Sequence, residues 1–238
     1  MNFEFLEIVP AIIAKSFDEL QEKINLVEPY VNWVQLDVMD GKFAPVKSWP
    51  YNVVIPAKAG IQDVDSRLCG NDKLDNINCL SERLKTKLSI ETHLMVEDVE
   101  GEIERWLNSG VKRILAHYEA IEKLTVNRKQ LTIEELVENL SRKCTKKNVE
   151  FGIVLNLDTS VSALEKMLSV NCYLFSVVQL MSIAKIGEHG QPFDERVIPK
   201  IRALKEQHLN VKISVDGGIN SQNAKQILEA GADVLVVG

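Results

Sequence analysis

Asp37 and Asp216 stand where two short apolar runs give way to glycine-containing loops, in Leu36-Asp37-Val38-Met39-Asp40-Gly41 and Val215-Asp216-Gly217-Gly218. A carboxylate at the mouth of a buried strand takes up or releases a proton, and two that face each other can pass one across a substrate held between them. His93, in Thr92-His93-Leu94-Met95, and His117, in Leu115-Ala116-His117, end two more apolar runs and bring nitrogen donors. Taken singly, each has an ordinary structural reading. Aspartate before glycine makes a good turn, and a histidine in an apolar run can serve as a hydrogen-bonded core residue.

Chemistry between residues so far apart in the chain needs elements that bring strand ends together. Apolar β-type runs recur at Glu7–Ile12, Trp33–Asp37, Leu88–His93, Lys112–His117, Val149–Leu155, Tyr173–Met181, Val211–Val215 and Asp233–Val237. Most are continuously apolar, as strands covered on both faces must be. Between them lie residues at helical spacing: Phe17-Leu20-Ile24-Val27, Ile103-Trp106-Leu107, Ile133-Leu136-Val137-Leu140 and Val197-Ile198-Ile201-Leu204. Ser16 with Glu19 reads as a capping box, and Ser221 and Gly231 bracket a further helix.

Eight strands alternating with helices make an α/β protein, either an eight-stranded barrel or an open doubly wound sheet. No G-x-G-x-x-G follows the first strand, which counts against dinucleotide binding. Polar residues at the ends of several different strands favour the TIM (β/α)8 barrel, whose sites assemble at the C-terminal mouth. The expectation is one barrel domain over residues 1–238. Two features interrupt the pattern. A stretch near 51–78 is rich in turn formers and lacks a period, and reads as an inserted surface loop. Gly238 comes as the eighth strand finishes, before the closing helix of a regular barrel.

The chain has 238 residues, 45% hydrophobic and 26% charged, with a formal net charge of −6. An acidic balance without a basic stripe argues against nucleic acid. No apolar run approaches the ~18 residues of a membrane span, and the N-terminus lacks a basic signal-peptide region. Cys69, Cys79, Cys144 and Cys172 show no C-x-x-C spacing and read as reduced thiols of a cytoplasmic protein.

The motifs resemble the ribulose-phosphate 3-epimerase family. The residues that carry the resemblance are Leu36-Asp37-Val38-Met39-Asp40-Gly41-Lys42-Phe43-Ala44-Pro45, Thr92-His93-Leu94-Met95-Val96, Gly152-Ile153-Val154-Leu155-Asn156, Val215-Asp216-Gly217-Gly218-Ile219-Asn220 and Ala230–Gly238, in this order. The resemblance implies a TIM barrel that inverts a pentulose phosphate at C3, interconverting D-ribulose 5-phosphate and D-xylulose 5-phosphate. It makes Asp37 and Asp216 the paired acid and base, working through a metal-stabilised enediolate. It further implies a divalent metal ion (zinc, iron, manganese or cobalt) held by Asp37, His93 and Asp216, with Gln35 in the fourth ligand position. Met39, Met95 and Met181 would line the substrate pocket, and Gly217 and Gly218 would form half of the phosphate site. A homo-oligomer is the implied assembly.

Three departures fall on this site. Gln35 replaces a metal-binding histidine, Ala11 replaces a serine, and the loop after the sixth strand reads Ala184-Lys185-Ile186-Gly187-Glu188-His189-Gly190 instead of a glycine-rich sequence. Glu188 would repel a phosphate if it pointed inward, while Lys185 or His189 would attract one. Two other functions therefore stand beside the epimerase: an impaired, epimerase-like binding barrel, and an epimerase or isomerase acting on another sugar phosphate.

Overall fold

The computed structural model of the chain describes residues 6–52, 77, 80–128, 131–170, 174–207 and 210–238. Eight parallel strands close into a barrel in sequence order: β1 (Glu7–Ile12), β2 (Trp33–Met39), β3 (Ser89–Met95), β4 (Arg113–His117), β5 (Glu150–Leu155), β6 (Val177–Met181), β7 (Lys212–Asp216) and β8 (Val234–Val237). Pairing of β1 with β8, from Glu7 with Val234 to Pro10 with Val237, seals the ring. The helices are α1 (Phe17–Val27), α2 (Leu80–Arg83), α3 (Val99–Trp106), α4 (Tyr118–Arg128), α5 (Ile133–Lys146), α6 (Glu165–Val170), α7 (Val197–Glu206) and α8 (Ala224–Ala230). The TIM-barrel expectation holds. The inserted-loop reading near 51–78 falls almost wholly outside the described residues.

Strand alternation sorts side chains into two cores. Leu36, Val38, Ile90, Leu94, Ile114, Ile153, Val178, Leu180, Ile213 and Val215 belong to the large cluster shared with the helices. Their alternate neighbours fill the barrel interior, where Leu115, Val154, Val177 and Met181 form one cluster and Val9, Val234 and Val236 another. Near the N-terminal ends of the strands, Arg113 bridges buried Glu91 at 2.6 Å and Glu150 at 2.8 Å, with its guanidinium over the Trp33 ring. Burial raises the Glu91 pKa to about 7 against the lowering charge of Arg113.

Local signals set most element starts, with two differences from the sequence reading. Ser16 Oγ accepts from Glu19 N, but the Glu19 carboxylate accepts from Lys15 N, so the capping pair is not reciprocal on Ser16. A complete capping box instead starts α5, between Thr132 and Glu135. The last helix begins at Ala224, not after Ser221. Asn220 and Asn223 first close a turn in which Asn220 Oδ1 accepts from Gln222 N and Asn223 Oδ1 accepts from Asn220 N. Gly231 ends that helix in the left-handed region, φ 114°, where a Cβ is disfavoured. The helical spacings in the sequence do not include α2, α4 or α6. Among the described residues no helix is long and apolar enough to cross a membrane.

Candidate active site

Strand register gathers the polar residues at one mouth. Asp37 pairs across the ladder with His93, and Asp216 with Met181. Barrel closure then sets β2 and β7 facing each other across the interior. One ligand atom from each of Asp37, His93 and Asp216 lies within 4.8 Å of the others, and all three residues are buried. His93 Nδ1 is 3.2 Å from Asp37 Oδ1 and 3.5 Å from Asp216 Oδ2.

Two glutamine amides complete the polar cluster. Gln35 Nε2 donates to Asp37 Oδ1 and to Asp216 Oδ2, each at 2.8 Å, and lies 3.3 Å from His93 Nδ1. Gln179 Nε2 donates to Asp216 Oδ2 at 3.0 Å, while its Oε1 accepts from Ser214 Oγ at 3.2 Å. Gln179 was missed in the sequence. The available signal was a polar residue amid Ser176-Val177-Val178-Gln179-Leu180-Met181, at the period-two spacing that faces it inward with Met181.

Behind the carboxylates runs a line of histidines. His93 Nε2 meets His117 Nε2 at 2.9 Å, and His117 Nδ1 meets Glu119 Oε2 at 3.2 Å. Glu119 is fixed in turn by Asn156 N and the Thr159 hydroxyl. With Glu119 ionised, His117 donates from Nδ1 and accepts at Nε2, so His93 donates from Nε2 and its Nδ1 is the nitrogen that faces the aspartates.

Charge states follow from burial and neighbours. Burial, helped by the charge of Asp216 and opposed by His93, pushes the Asp37 carboxyl above its ordinary range. His93 loses basicity to burial, but its contacts with Asp216 and Asp37 outweigh that and lift it to about 9. His117 is pulled down to about 4, chiefly by burial, and is neutral.

A cavity of about 270 Å³ opens above the cluster. Asp37, His93 and Asp216 line one end, with Met95, Met181 and Ile183 as an apolar wall. Met39 is packed behind this wall against Ala44 and Met95. Gly217 and Gly218 line the cavity in a turn with φ of 117° and 63°, tied to the sheet by Ser182 Oγ, which donates to Gly217 O at 2.6 Å. At Gly218 a Cβ would stand 2.5 Å from Phe193 N, so close backbone approach as well as φ demands glycine. Glu188 and His189 also line the cavity, whereas Lys185 does not. The Glu188 carboxylate is held by Gln191 Nε2 at 3.0 Å, and Ala11 also lines the cavity.

The donor set suits a divalent cation. Two carboxylates and an imidazole whose Nδ1 would ligate on giving up its proton make three protein ligands, enough for a catalytic site that keeps a position open. Gln35 turns its nitrogen toward this group. Its Oε1, the atom able to ligate, is buried with no hydrogen-bond partner among the described residues.

The family model described as ribulose-phosphate 3 epimerase matches residues 61–238. Over 236 residues the chain is 33% identical to ribulose-phosphate 3-epimerase of Synechocystis, covering 97% of this chain and 85% of that protein. It is 30% identical to the Aquifex aeolicus ribulose-phosphate 3-epimerase, covering 97% and 87%. It is also 30% identical to the chloroplastic ribulose-5-phosphate-3-epimerase of Arabidopsis thaliana, covering 97% and 69%. Among solved structures, the tryptophan synthase α-subunit of Pyrococcus furiosus (E244A mutant) superposes with a TM-score of 0.63 at 13% identity, covering 98% of this chain and 86% of that one. That likeness concerns the barrel alone.

Proposed function

The chain belongs to the ribulose-phosphate 3-epimerase family, and on that premise we propose that it interconverts D-ribulose 5-phosphate and D-xylulose 5-phosphate by proton transfer between Asp37 and Asp216. The observation that carries this reading is the buried pair itself, joined through His93 Nδ1 at 3.2 and 3.5 Å and opening on a cavity with an apolar wall. One carboxylate removes the C3 proton from one face of the sugar. The other, holding a proton, delivers it to the opposite face of the enediolate. Each turnover leaves the proton on the carboxylate that began as base, which is the state required for the reverse reaction.

Asp37, His93 and Asp216 would hold a divalent cation (zinc, iron, manganese or cobalt). When bound, it supplies positive charge against the oxyanion that develops as C3 loses its proton. Met95, Met181 and Ile183 exclude water from the flat intermediate. The turn at Gly217 and Gly218 offers backbone to the phosphate end of the substrate.

Glu188 at the cavity supports a second reading, a barrel that binds a sugar phosphate with little or no turnover. Incubation of the chain with D-ribulose 5-phosphate and added divalent metals in D2O separates the two. Deuterium at C3 together with D-xylulose 5-phosphate is expected. Binding without C3 exchange under every metal would leave the second reading, and exchange at another carbon would point to a different sugar-phosphate isomerase.

A further inference from the structure

Gln35 is fully buried on β2, below the cavity. An amide NH2 has two donors and no charge. Here one N–H goes to each carboxylate at 2.8 Å, and the nitrogen is also 3.3 Å from His93 Nδ1. The same three residues are those able to converge on a cation. The amide nitrogen therefore stands among the groups a metal would bind.

Gln179 supplies the contrast. Its nitrogen donates to Asp216, and its oxygen accepts from Ser214, so that amide is fixed from both ends. Gln35 is held from the nitrogen end alone, because Oε1 is buried without a partner. If Gln35 turned over to ligate through Oε1, its NH2 would take the partnerless place. Either orientation leaves one polar amide atom unsatisfied, which is costly in a buried site.

We propose that the Gln35 amide is an internal occupant of the cation position, which holds Asp37 and Asp216 together in the metal-free protein and which a divalent ion must displace to bind. This rests on the reading that Asp37, His93 and Asp216 hold the metal. Displacement gives up two charge-assisted hydrogen bonds, so Gln35 weakens metal binding instead of strengthening it.

Titration of the full chain with Co2+, followed by visible absorption and calorimetry, tests this with Gln35→Ala and Gln35→Leu beside the wild type. Both variants are expected to bind Co2+ at least ~10-fold more tightly, the scale of one charge-assisted hydrogen bond. Equal or weaker binding by the variants would overturn the proposal while leaving the metal site in place. No Co2+ binding by any of the three, or binding that survives Asp216→Asn, would overturn the metal reading and the proposal with it. A measurement on the wild type alone covers failure of the variants to fold. The Gln35 side-chain amide resonances should be protected from solvent exchange without metal and shift on Zn2+ addition, and amide signals unmoved by bound Zn2+ would overturn the displacement.

Discussion

His93 and His117 meet through their Nε2 atoms at 2.9 Å, with their rings stacked at a 23° interplanar angle. Only one of these nitrogens carries the shared hydrogen. Because His117 Nδ1 faces Glu119, that hydrogen belongs to His93. A residue outside the cavity thus sets which nitrogen of a cavity residue is free to bind.

Replacing His117 by Leu removes the acceptor that fixes His93. Affinity for a divalent ion is expected to fall ~10–100-fold, the usual effect of losing a partner behind a metal ligand. Calorimetric metal titration measures it, and Glu119→Gln, which keeps a hydrogen-bond acceptor for His117, should lose less.

The two aspartates should be separable by isotope exchange. Asp216→Asn is expected to slow epimerisation in both directions by ~10²–10⁴-fold, the range for loss of a positioned acid or base. The epimer whose C3 proton faces Asp37 should still exchange that proton with D2O, and Asp37→Asn should show the mirror result. Proton NMR of both pentulose phosphates follows the C3 signal; equal loss of exchange for both epimers in either variant would contradict one base per face.

Gly218→Ala places a Cβ 2.5 Å from Phe193 N and 2.9 Å from Gln191 O, at φ 63°. The left-handed conformation alone costs ~1–2 kcal/mol for a residue with a Cβ, and the clash is with backbone. The expected result is a lower unfolding midpoint and a KM raised more than kcat is reduced. Steady-state kinetics with and without the phosphate on the substrate locates the defect.

The Glu91–Arg113 pair should make stability depend on pH. Burial raises Glu91 to about 7 in the folded chain, from an ordinary value of 4.5. Its contribution is therefore full below the unfolded value and is lost as pH rises through the folded one. Arg113→Met removes the charge that holds Glu91 down, so the folded value climbs further. The variant should lose ~3–5 kcal/mol near pH 8, as for other broken buried pairs, and distinctly less near pH 5, where Glu91 is protonated. Urea denaturation at the two pH values reads the difference.

Much of the barrel is written in the chain's periodicity. The continuous apolar runs found the eight strands, although β2 runs on to Met39 and β6 starts at Val177. Asp37, His93 and Asp216 were legible because each follows an apolar run, which is a local signal. Helix α4 was hidden because Tyr118–Arg128 mixes polar and apolar residues without a strong face. Gln179 and the His93–His117 contact were hidden for a different reason. They arise from register between strands, and no window along the chain contains both partners. The orientation of the Gln35 amide is likewise a consequence of what surrounds it: two carboxylates and an imidazole draw in the nitrogen end.

Asp37 and Asp216 lie on β2 and β7, which are not neighbours. Going round one way, β1 and β8 stand between them; going the other way, β3 to β6 do. Because the ring is closed, the gap between the two carboxylates works as a gauge set by the circumference of the whole cylinder. No single loop can widen or narrow it. The loops at the rim, the one carrying Glu188 and His189 among them, can therefore vary in sequence without resetting that gap.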